Sequence, residues 1–443
     1  MKSAIINRNS SVLMLCLLLL AALASPQSHA TQLTLGEALR LAAEYSPALA
    51  AAAAQDRGAQ AALDTARAFP NPELEIGSGM SRPRLPGAES GRLEMLGLSQ
   101  QFELPGLRNA RRQGAEAGVV SGAAALAEAR LYQYITVKQA FYEVLRRQEE
   151  SGLAAENFVL LQQIRNRVKV KVQVGEAPRY ELVKSEAETL AAESAARSAE
   201  HRVTQARDRL RALTGAPLAE TFVAVAEPAQ LAALPALNVL RDDLLARQPL
   251  LKVAESETQR AQARVNLERA LRMPQPTIKL SSEREQDATL WRVGVVLPLP
   301  LWSRRAGPIG EAMAGMDRAQ ADARQIRLEL LAELDHAYNR YQIASHQVIT
   351  FESGLLKEAE SALKVAEAAY RYGERGILDY LDAQRVLRTT RMDFLNARYE
   401  LQAALIVIER LRATPLTANS QSEPSSLSPA GRESEAREAG EIS

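Results

Sequence analysis

The chain has 443 residues, with 54 Lys and Arg against 53 Asp and Glu, and its formal net charge is +1. A nucleic-acid partner usually requires a strongly basic surface, so this charge balance predicts no nucleic-acid partner. The one cysteine, Cys16, lies in an N-terminal apolar stretch. If that stretch is removed, the mature chain can form no disulfide and no thiolate metal site.

The N-terminus has the pattern of a secretory signal peptide. Lys2 and Arg8 precede the apolar run Val12–Leu23, and small residues follow at Ser28–Ala30. The run is too short to span a bilayer as a helix, and cleavage is predicted after residue 30. Leu15 stands where a lipoprotein signal requires a small residue, so we expect no acylated N-terminus.

The rest of the chain carries an internal duplication. Gly175–Glu181 and Gly373–Asp379 each interrupt a long helical pattern, and each is predicted to be the tip of a helical hairpin. Upstream, Pro70–Pro72 and Pro274–Pro276 match each other as helix stops. The order helix, strand, strand, long helix, tip, helix therefore occurs twice. The predicted divisions are a signal peptide at 1–30, a first repeat at 31–216, a linker at 217–239, a second repeat at 240–412 and a disordered tail at 413–443.

The helical segments are predicted to form coiled coils. Uninterrupted patterns run from about Asn109 to Gln173 and from about Pro308 to Tyr372, and each would extend roughly 95 to 100 Å at 1.5 Å per residue. From Leu330 to Ala369 a strict seven-residue repeat, which includes Leu355 and Ala362, predicts left-handed supercoiling. After each tip an in-phase stripe follows. In the first repeat the stripe consists of Leu182, Ser185, Thr189, Ala192, Ala196, Ala199, Val203, Ala206, Leu210 and Leu213.

Four short segments alternate apolar and polar residues and are predicted to be strands: Glu73–Met80, Arg92–Phe102, Thr277–Glu283 and Leu290–Leu297. The second is less regular, because Met95 and Leu96 break its phase. Strands of this length suit a membrane barrel with an apolar outside and a polar lumen. Four strands cannot close alone in lipid, because their edges would leave unpaired backbone groups there. Several copies are therefore expected to share one barrel.

Residues that could carry catalysis or bind a metal are sparse. His201, His336 and His346 are isolated in sequence, and no Cys or carboxylate cluster has ligand spacing. We therefore predict no catalytic, cofactor-binding or metal site, and no enzymatic activity. The fold class predicted is mainly α with a small β part, in two tandem repeats.

At this point the sequence resembles the TolC-type outer membrane factors, the exit ducts of Gram-negative efflux pumps, from about Thr34 to Arg412. Leu35–Leu39, Ser46-Pro47 and Pro70–Pro72 carry the resemblance. Gln101–Gly106 and Leu297–Arg304 look most like the CzcC-like subunits of heavy-metal pumps. The resemblance implies a homotrimer in the outer membrane, with a shared twelve-stranded barrel and a long periplasmic helical tunnel. It also implies a periplasmic adaptor and an inner-membrane pump of the RND type as partners.

The resemblance also implies a gate at the periplasmic end. In the family this end is closed by an Asp, Tyr and Arg network, and the matching positions are Glu181, Tyr370, Arg375, Asp379 and Asp382. Glu181 stands where the family has Asp. Asp379 and Asp382 share a helix face, and symmetry would multiply them into carboxylate rings; alternatively, they are solvated charges that suit a helix start. The expected adaptor-docking residues are Gly175, Glu176, Pro178, Gly373, Glu374 and Gly376.

Two other classes of protein remain possible on the sequence alone. A periplasmic adaptor also has a long helical hairpin, but it would carry one hairpin where this chain carries two. A structural filament is disfavoured by the paired strands. Within the same family, the exported substrate could be a drug or a protein instead of a heavy-metal cation.

Overall fold

The structure is a computed structural model that describes residues 31–81, 91–226, 234–285 and 288–414. The predicted signal peptide and nearly all of the predicted tail lie outside these residues. Within the described ranges, helices dominate and two small sheets complete the fold. None of the described helices combines the length and apolar character needed to cross a bilayer.

The first repeat begins with two short helices and then extends into a long hairpin. Thr34 caps the first helix, since its hydroxyl oxygen accepts from the Glu37 amide at 3.3 Å. Pro47 starts the second helix, where its missing N–H costs nothing. The elements are β1 Thr31–Leu33, α1 Leu35–Tyr45, α2 Pro47–Arg67, β2 Glu73–Ser81, β3 Gly91–Gln101, α3 Pro105–Gln173 and α4 Arg179–Thr214.

The second repeat follows the same order. A short strand, β4 Phe222–Ala224, lies between the two repeats. The elements after it are α5 Leu237–Arg247, α6 Pro249–Ala270, β5 Thr277–Arg284, β6 Thr289–Val296, α7 Ala306–Thr350, a π-helical turn Phe351–Leu355, α8 Leu356–Arg371 and α9 Ile377–Arg412. The last helix has 36 residues, as does α4 in the first repeat.

The four predicted strands are confirmed, with ends within about one residue of the prediction. They form one antiparallel sheet in the order β2-β3-β5-β6, so strands from the two repeats pair at β3–β5. A second sheet, in which β1 pairs with β4 in parallel, was not predicted from the sequence. Each of these strands has three residues, which is too short for an alternation to be recognised. This pairing attaches residues 222–224 of the predicted linker to the start of the first repeat.

The predicted stripe in α4 is confirmed, because its members from Ser185 to Leu210 are all buried. The predicted uninterrupted helix from Pro308 to Tyr372 is wrong. The chain leaves the regular α-helix at the π-helical turn, where Gly354 has φ 174°. A π-helical turn holds one more residue than an α-turn, so the residues after it rotate relative to the seam. Leu355 and Ala362, predicted on the seam, are exposed, whereas their neighbours Leu356 and Leu363 are half-buried. Ala359, also predicted on the seam, is buried as predicted.

Three apolar clusters lie along the helices. One surrounds β1 and β4 and includes Phe141 and Leu210. A second joins α5, α7 and α9 around Leu334. The third lies towards the tips and joins both hairpins around Leu161 and Tyr370. The two repeats are thus packed against each other along their helices as well as through the sheet.

Candidate functional surfaces: the exposed sheet and the hairpin tips

One face of the four-stranded sheet is apolar and exposed. The strand register places side chains from all four strands on this face, because directly paired residues point to the same side. Each of these side chains is exposed in the single chain: Leu74, Ile76, Met80, Leu96, Leu98, Ile278, Leu280, Trp291, Val293 and Val295. A surface of this size requires a nonpolar environment in the functional assembly.

On the same face, charged side chains replace apolar ones at the end of the sheet that is distant from the helices. Arg92, Glu94 and Arg284 lie there, and the Arg92 guanidinium is 3.3 Å from the Glu94 carboxylate. Trp291 pairs with Ser282 next to this charged end. The apolar band is therefore bounded on one side by charges.

The opposite face of the sheet is mostly polar. It carries Glu73, Glu75, Ser99, Lys279, Ser281, Glu283 and Arg292. Arg292 reaches across to Glu283 at 2.8 Å. The irregularity at Met95 also has a structural reason: Met95 lies on this face opposite Gly77, and a Cβ at Gly77 would be 3.4 Å from its Cε. The glycine leaves the space that the methionine fills, while Leu96 keeps its place on the apolar face.

Both predicted hairpin tips are confirmed as turns with the same backbone geometry. Gly175 has φ +81° and Gly373 has φ +76°, so both use the left-handed conformation that favours glycine. The next amide closes the helix in each case: Glu176 N donates to the Lys171 carbonyl at 2.8 Å, and Glu374 N donates to the Ala369 carbonyl at 2.9 Å. A Cβ at either glycine would meet no atom within 4 Å, so the tips project from the rest of the chain.

Tyr370 is buried at the junction of the two hairpins. Its ring stacks on Tyr380 with centroids 6.0 Å apart, and the Lys171 ammonium lies 4.5 Å from the ring centroid. Its hydroxyl oxygen is buried with no hydrogen-bond partner among the described residues. Burial raises the pKa of Tyr370, and the Glu181 carboxylate adds to that shift. The hydroxyl is therefore neutral at physiological pH and able to donate a hydrogen bond.

The three predicted charged residues of the second tip do not contact Tyr370. Arg375 pairs with Asp379 at 3.8 Å, and Asp382 pairs with Arg385 at 3.7 Å. All four side chains are exposed. Within one chain the predicted gate residues thus form two groups, a buried Tyr370 beside Glu181 and an exposed pair of aspartates on α9. Among the described residues, no group of three or more His, Cys, Asp or Glu side chains could hold a metal ion.

Comparison with known proteins identifies the family. Residues 38–216 and 240–413 match the sequence model described as outer membrane efflux protein. The chain belongs to the outer membrane efflux protein family. The match covers both repeats, which sets aside the adaptor and the filament, and the members of this family are channels and not enzymes. The resemblance to the TolC-type outer membrane factors is thereby confirmed.

Individual relatives agree with this assignment. The chain is 29% identical over 388 residues to the cobalt-zinc-cadmium resistance protein CzcC of Cupriavidus metallidurans, covering 87% of this chain and 91% of that protein. It is 27% identical over 290 residues to the nickel-cobalt-cadmium resistance protein NccC of Alcaligenes xylosoxydans xylosoxydans, covering 64% of each. Its fold is similar to a crystal structure of the CusC channel, with a TM-score of 0.74 at 19% identity, covering 85% and 91% of the two chains.

Sequence reasoning missed the apolar residues beside the sheet. Phe69 and Phe102 are exposed where the chain passes between helix and strand, and the Arg108 guanidinium lies 3.8 Å from the Phe69 ring centroid. Trp302 is 94% exposed after the last strand. Their signal in the sequence was the position of aromatic residues at or near the ends of the predicted strands.

Proposed function

We propose that three copies of this chain form the exit duct of a tripartite efflux system. The observation that carries the proposal is an exposed apolar sheet face on a sheet whose outer strands, β2 and β6, each pair on one side only within the part of the chain that the structure describes. Within lipid, unpaired backbone groups are costly, and three such sheets joined edge to edge would leave none. The apolar face would then meet lipid, and the polar face would line the duct.

Cross-linking between the sheet edges tests the trimer. A cysteine at Ser78 in β2, combined in turn with a cysteine at each residue of β6, should give a three-chain ladder in outer-membrane fractions. The same cysteine at Ser78 alone is the control. A protein that remains a water-soluble monomer would contradict the proposal.

We propose that the cargo is heavy-metal cations. The relatives that support this are named for resistance to cobalt, zinc, nickel and cadmium. A further relative, 25% identical over 382 residues, is named as a pyoverdine export protein, so the family also serves organic cargo. A deletion strain should become sensitive to these divalent metals and should keep its tolerance to a drug panel. Sensitivity to the drugs alone would favour a drug duct instead.

We propose that the tips close the duct and dock a periplasmic adaptor, which would link it to an inner-membrane pump of the RND type. The long hairpins would form the periplasmic extension. Gly175, Glu176 and Pro178 of the first tip would meet the adaptor together with Gly373, Glu374 and Gly376 of the second. In the gate, Tyr370 would donate a hydrogen bond in the closed assembly, and Asp379 and Asp382 would line the aperture.

Conductance of the reconstituted channel tests the gate. Tyr370→Phe with Arg375→Glu removes a hydroxyl and reverses a charge, and bonds of this kind contribute about 1 to 3 kcal/mol where charge is involved. With three copies, the closed state should lose most of its population and conductance should rise. Asp379→Asn with Asp382→Asn should instead weaken the preference for cations. If neither pair changes its measurement, these residues are solvated charges at a helix start.

A further inference from the structure

The two repeats differ at the junction between the last strand and the following helix. In the first repeat only residues 102–104 separate β3 from α3, whereas in the second repeat residues 297–305 separate β6 from α7. Both junctions lie at the same end of the sheet, because β3 and β6 both run towards the helices. The second repeat has therefore acquired a longer connection at one level of the molecule.

The short junction is held by polar contacts. Glu103 is nearly buried and pairs with Arg111 at 2.5 Å. The Leu104 amide donates to the Gln275 side-chain oxygen at 2.8 Å, and the Phe102 amide donates to the Pro276 carbonyl at 2.9 Å. This junction is fixed to the body of the protein, and Phe102 is its exposed apolar side chain.

The long junction has the opposite character. Its sequence alternates leucine with proline and ends in tryptophan, and its apolar side chains are exposed: Leu297, Leu299, Leu301 and Trp302. Pro298 and Pro300 lack an N–H, and the Leu301 amide donates to the Leu299 carbonyl at 2.9 Å. At residues 298, 300 and 301 the backbone N–H is thus either absent or already hydrogen-bonded. This lowers the free-energy cost of moving the segment out of water.

The position of the leucines indicates which surface they meet. Leu297, Leu299 and Leu301 follow directly after β6, whose Trp291, Val293 and Val295 lie on the apolar face of the sheet. The exposed Arg304 follows them, while Arg305 is occupied by the buried Glu268. An apolar run that ends in tryptophan and a free cation fits the boundary between acyl chains and headgroups, where tryptophan and arginine are favoured.

We propose that residues 297–302 form an anchor that inserts into the headgroup boundary of the phospholipid leaflet facing the helices. The proposal rests on the proposed function, in which the apolar sheet face spans the membrane. Trp291 would then mark one border of the apolar band and Trp302 the other, as in the aromatic girdles of membrane sheets. Each copy would contribute one such leucine-rich anchor, because the shorter junction of the first repeat exposes only Phe102 at this level.

The chain has two tryptophans, so each can be observed alone. Trp291→Phe leaves Trp302, and Trp302→Phe leaves Trp291. The full-length protein is reconstituted in phosphatidylcholine vesicles that carry either a headgroup nitroxide or brominated acyl chains, and aqueous iodide is added in a third arm. We expect Trp302 to emit at short wavelength, to lose emission with the headgroup nitroxide and to be protected from iodide. Adding Leu299→Ser with Leu301→Ser should shift its emission to longer wavelength and expose it to iodide.

The results distinguish a failure of the anchor proposal from a failure of the proposed function. If Trp302 is quenched by iodide and not by lipid, the junction lies in water and the anchor is refuted. If neither quencher reaches it while Trp291 is quenched by lipid, the junction packs against a neighbouring copy, which also refutes the anchor. If the lipid quenchers do not reach Trp291 either, the sheet is not in the membrane and the proposed function itself fails.

Discussion

The two hairpins have the same tips and return helices of the same length, yet their outgoing helices differ. In the first repeat α3 runs for 69 residues without a break. In the second, α7 has 45 residues, the π-helical turn follows, and α8 has 16 residues. The seam residues account for the difference. The return helices are related by 198 positions, and Ala196 of the first corresponds to Phe394 of the second.

The larger side chain stands beside the break. The Phe394 ring lies 5.8 Å from the ring of Phe351, the residue that begins the π-helical turn. An alanine seam lets two helices approach closely, whereas two phenylalanine rings need more space, which the wider π-turn provides. The outgoing helix of the first hairpin is therefore continuous, whereas that of the second hairpin is divided into two segments. The predictions below test whether that difference affects stability and motion.

The largest loss of stability should follow from breaking a buried ion pair that joins the two repeats. Lys138 of α3 forms an ion pair with Glu409 of α9 at 2.5 Å, and both side chains are almost fully buried. Burial raises the pKa of Tyr134 to about 12, and the Glu409 carboxylate adds to that shift. Lys138→Met should lower the free energy of unfolding by about 3 to 5 kcal/mol, because it leaves a buried carboxylate without this cation. Thermal unfolding in detergent measures the loss.

The double variant Lys138→Met with Glu409→Leu is the matched control. Replacing both members of a buried pair with apolar residues is often tolerated, so stability should return towards that of the original protein. If the double variant is as unstable as the single one, the loss comes from packing and not from the loss of the ion pair with Lys138.

A smaller loss of stability should show whether the α4 seam is packed more tightly than the α9 seam. Ala192 of α4 is 3% exposed, whereas the corresponding Thr390 of α9 is only half-buried. Ala192→Leu should cost about 1 to 3 kcal/mol through overpacking, and Thr390→Leu should cost less. Thermal unfolding of the two variants side by side is the measurement. Equal losses would mean that the seams are equally tight.

The two tips should respond alike to substitution, because each ends its helix with a glycine in the left-handed conformation. Gly175→Val and Gly373→Val each force a β-branched residue into the left-handed conformation, at a cost of roughly 1 to 2 kcal/mol. Gly310 lies inside α7, and a Cβ there would meet no atom within 4 Å, so Gly310→Ala is the control without backbone strain and outside the tips. Export should fall in both valine variants, with outer-membrane abundance unchanged, if the tips dock the adaptor. Normal export in both would contradict the docking proposal.

Much of this architecture could be predicted from the sequence, since it repeats over long distances. The α4 seam and the four strands follow from periodicity alone. The break at residues 351–355 could not be predicted, because apolar residues stand side by side there: Leu355 is followed by Leu356 and Ala362 by Leu363. Either member of each pair fits a seam, and Ala359 keeps its predicted buried position, so the break leaves no mark in the pattern. The contacts of Tyr370 with Tyr380 and Lys171 also could not be predicted from the sequence. Lys171, for example, lies some 200 positions away in the chain.

The smallest predicted effect concerns one glycine from each outgoing helix. Gly152 lies in the regular part of α3, and Gly354 lies in the π-helical turn with φ 174°. A Cβ at either position would meet no atom within 4 Å. Gly152→Ala should therefore stabilise the protein by about 0.5 to 1 kcal/mol, since alanine is the better helix former. Gly354→Ala should give less, because this glycine does not have a helical backbone.

Hydrogen exchange separates the two cases locally. In the unmodified protein, amides of residues 351–355 should exchange faster than those of residues 149–155, because the π-helical turn interrupts regular hydrogen bonding. Gly152→Ala should slow exchange around its own position, and Gly354→Ala should leave the faster exchange of the turn in place. If the two segments exchange at the same rate, the break in the second hairpin adds no flexibility. The two hairpins would then differ in shape alone.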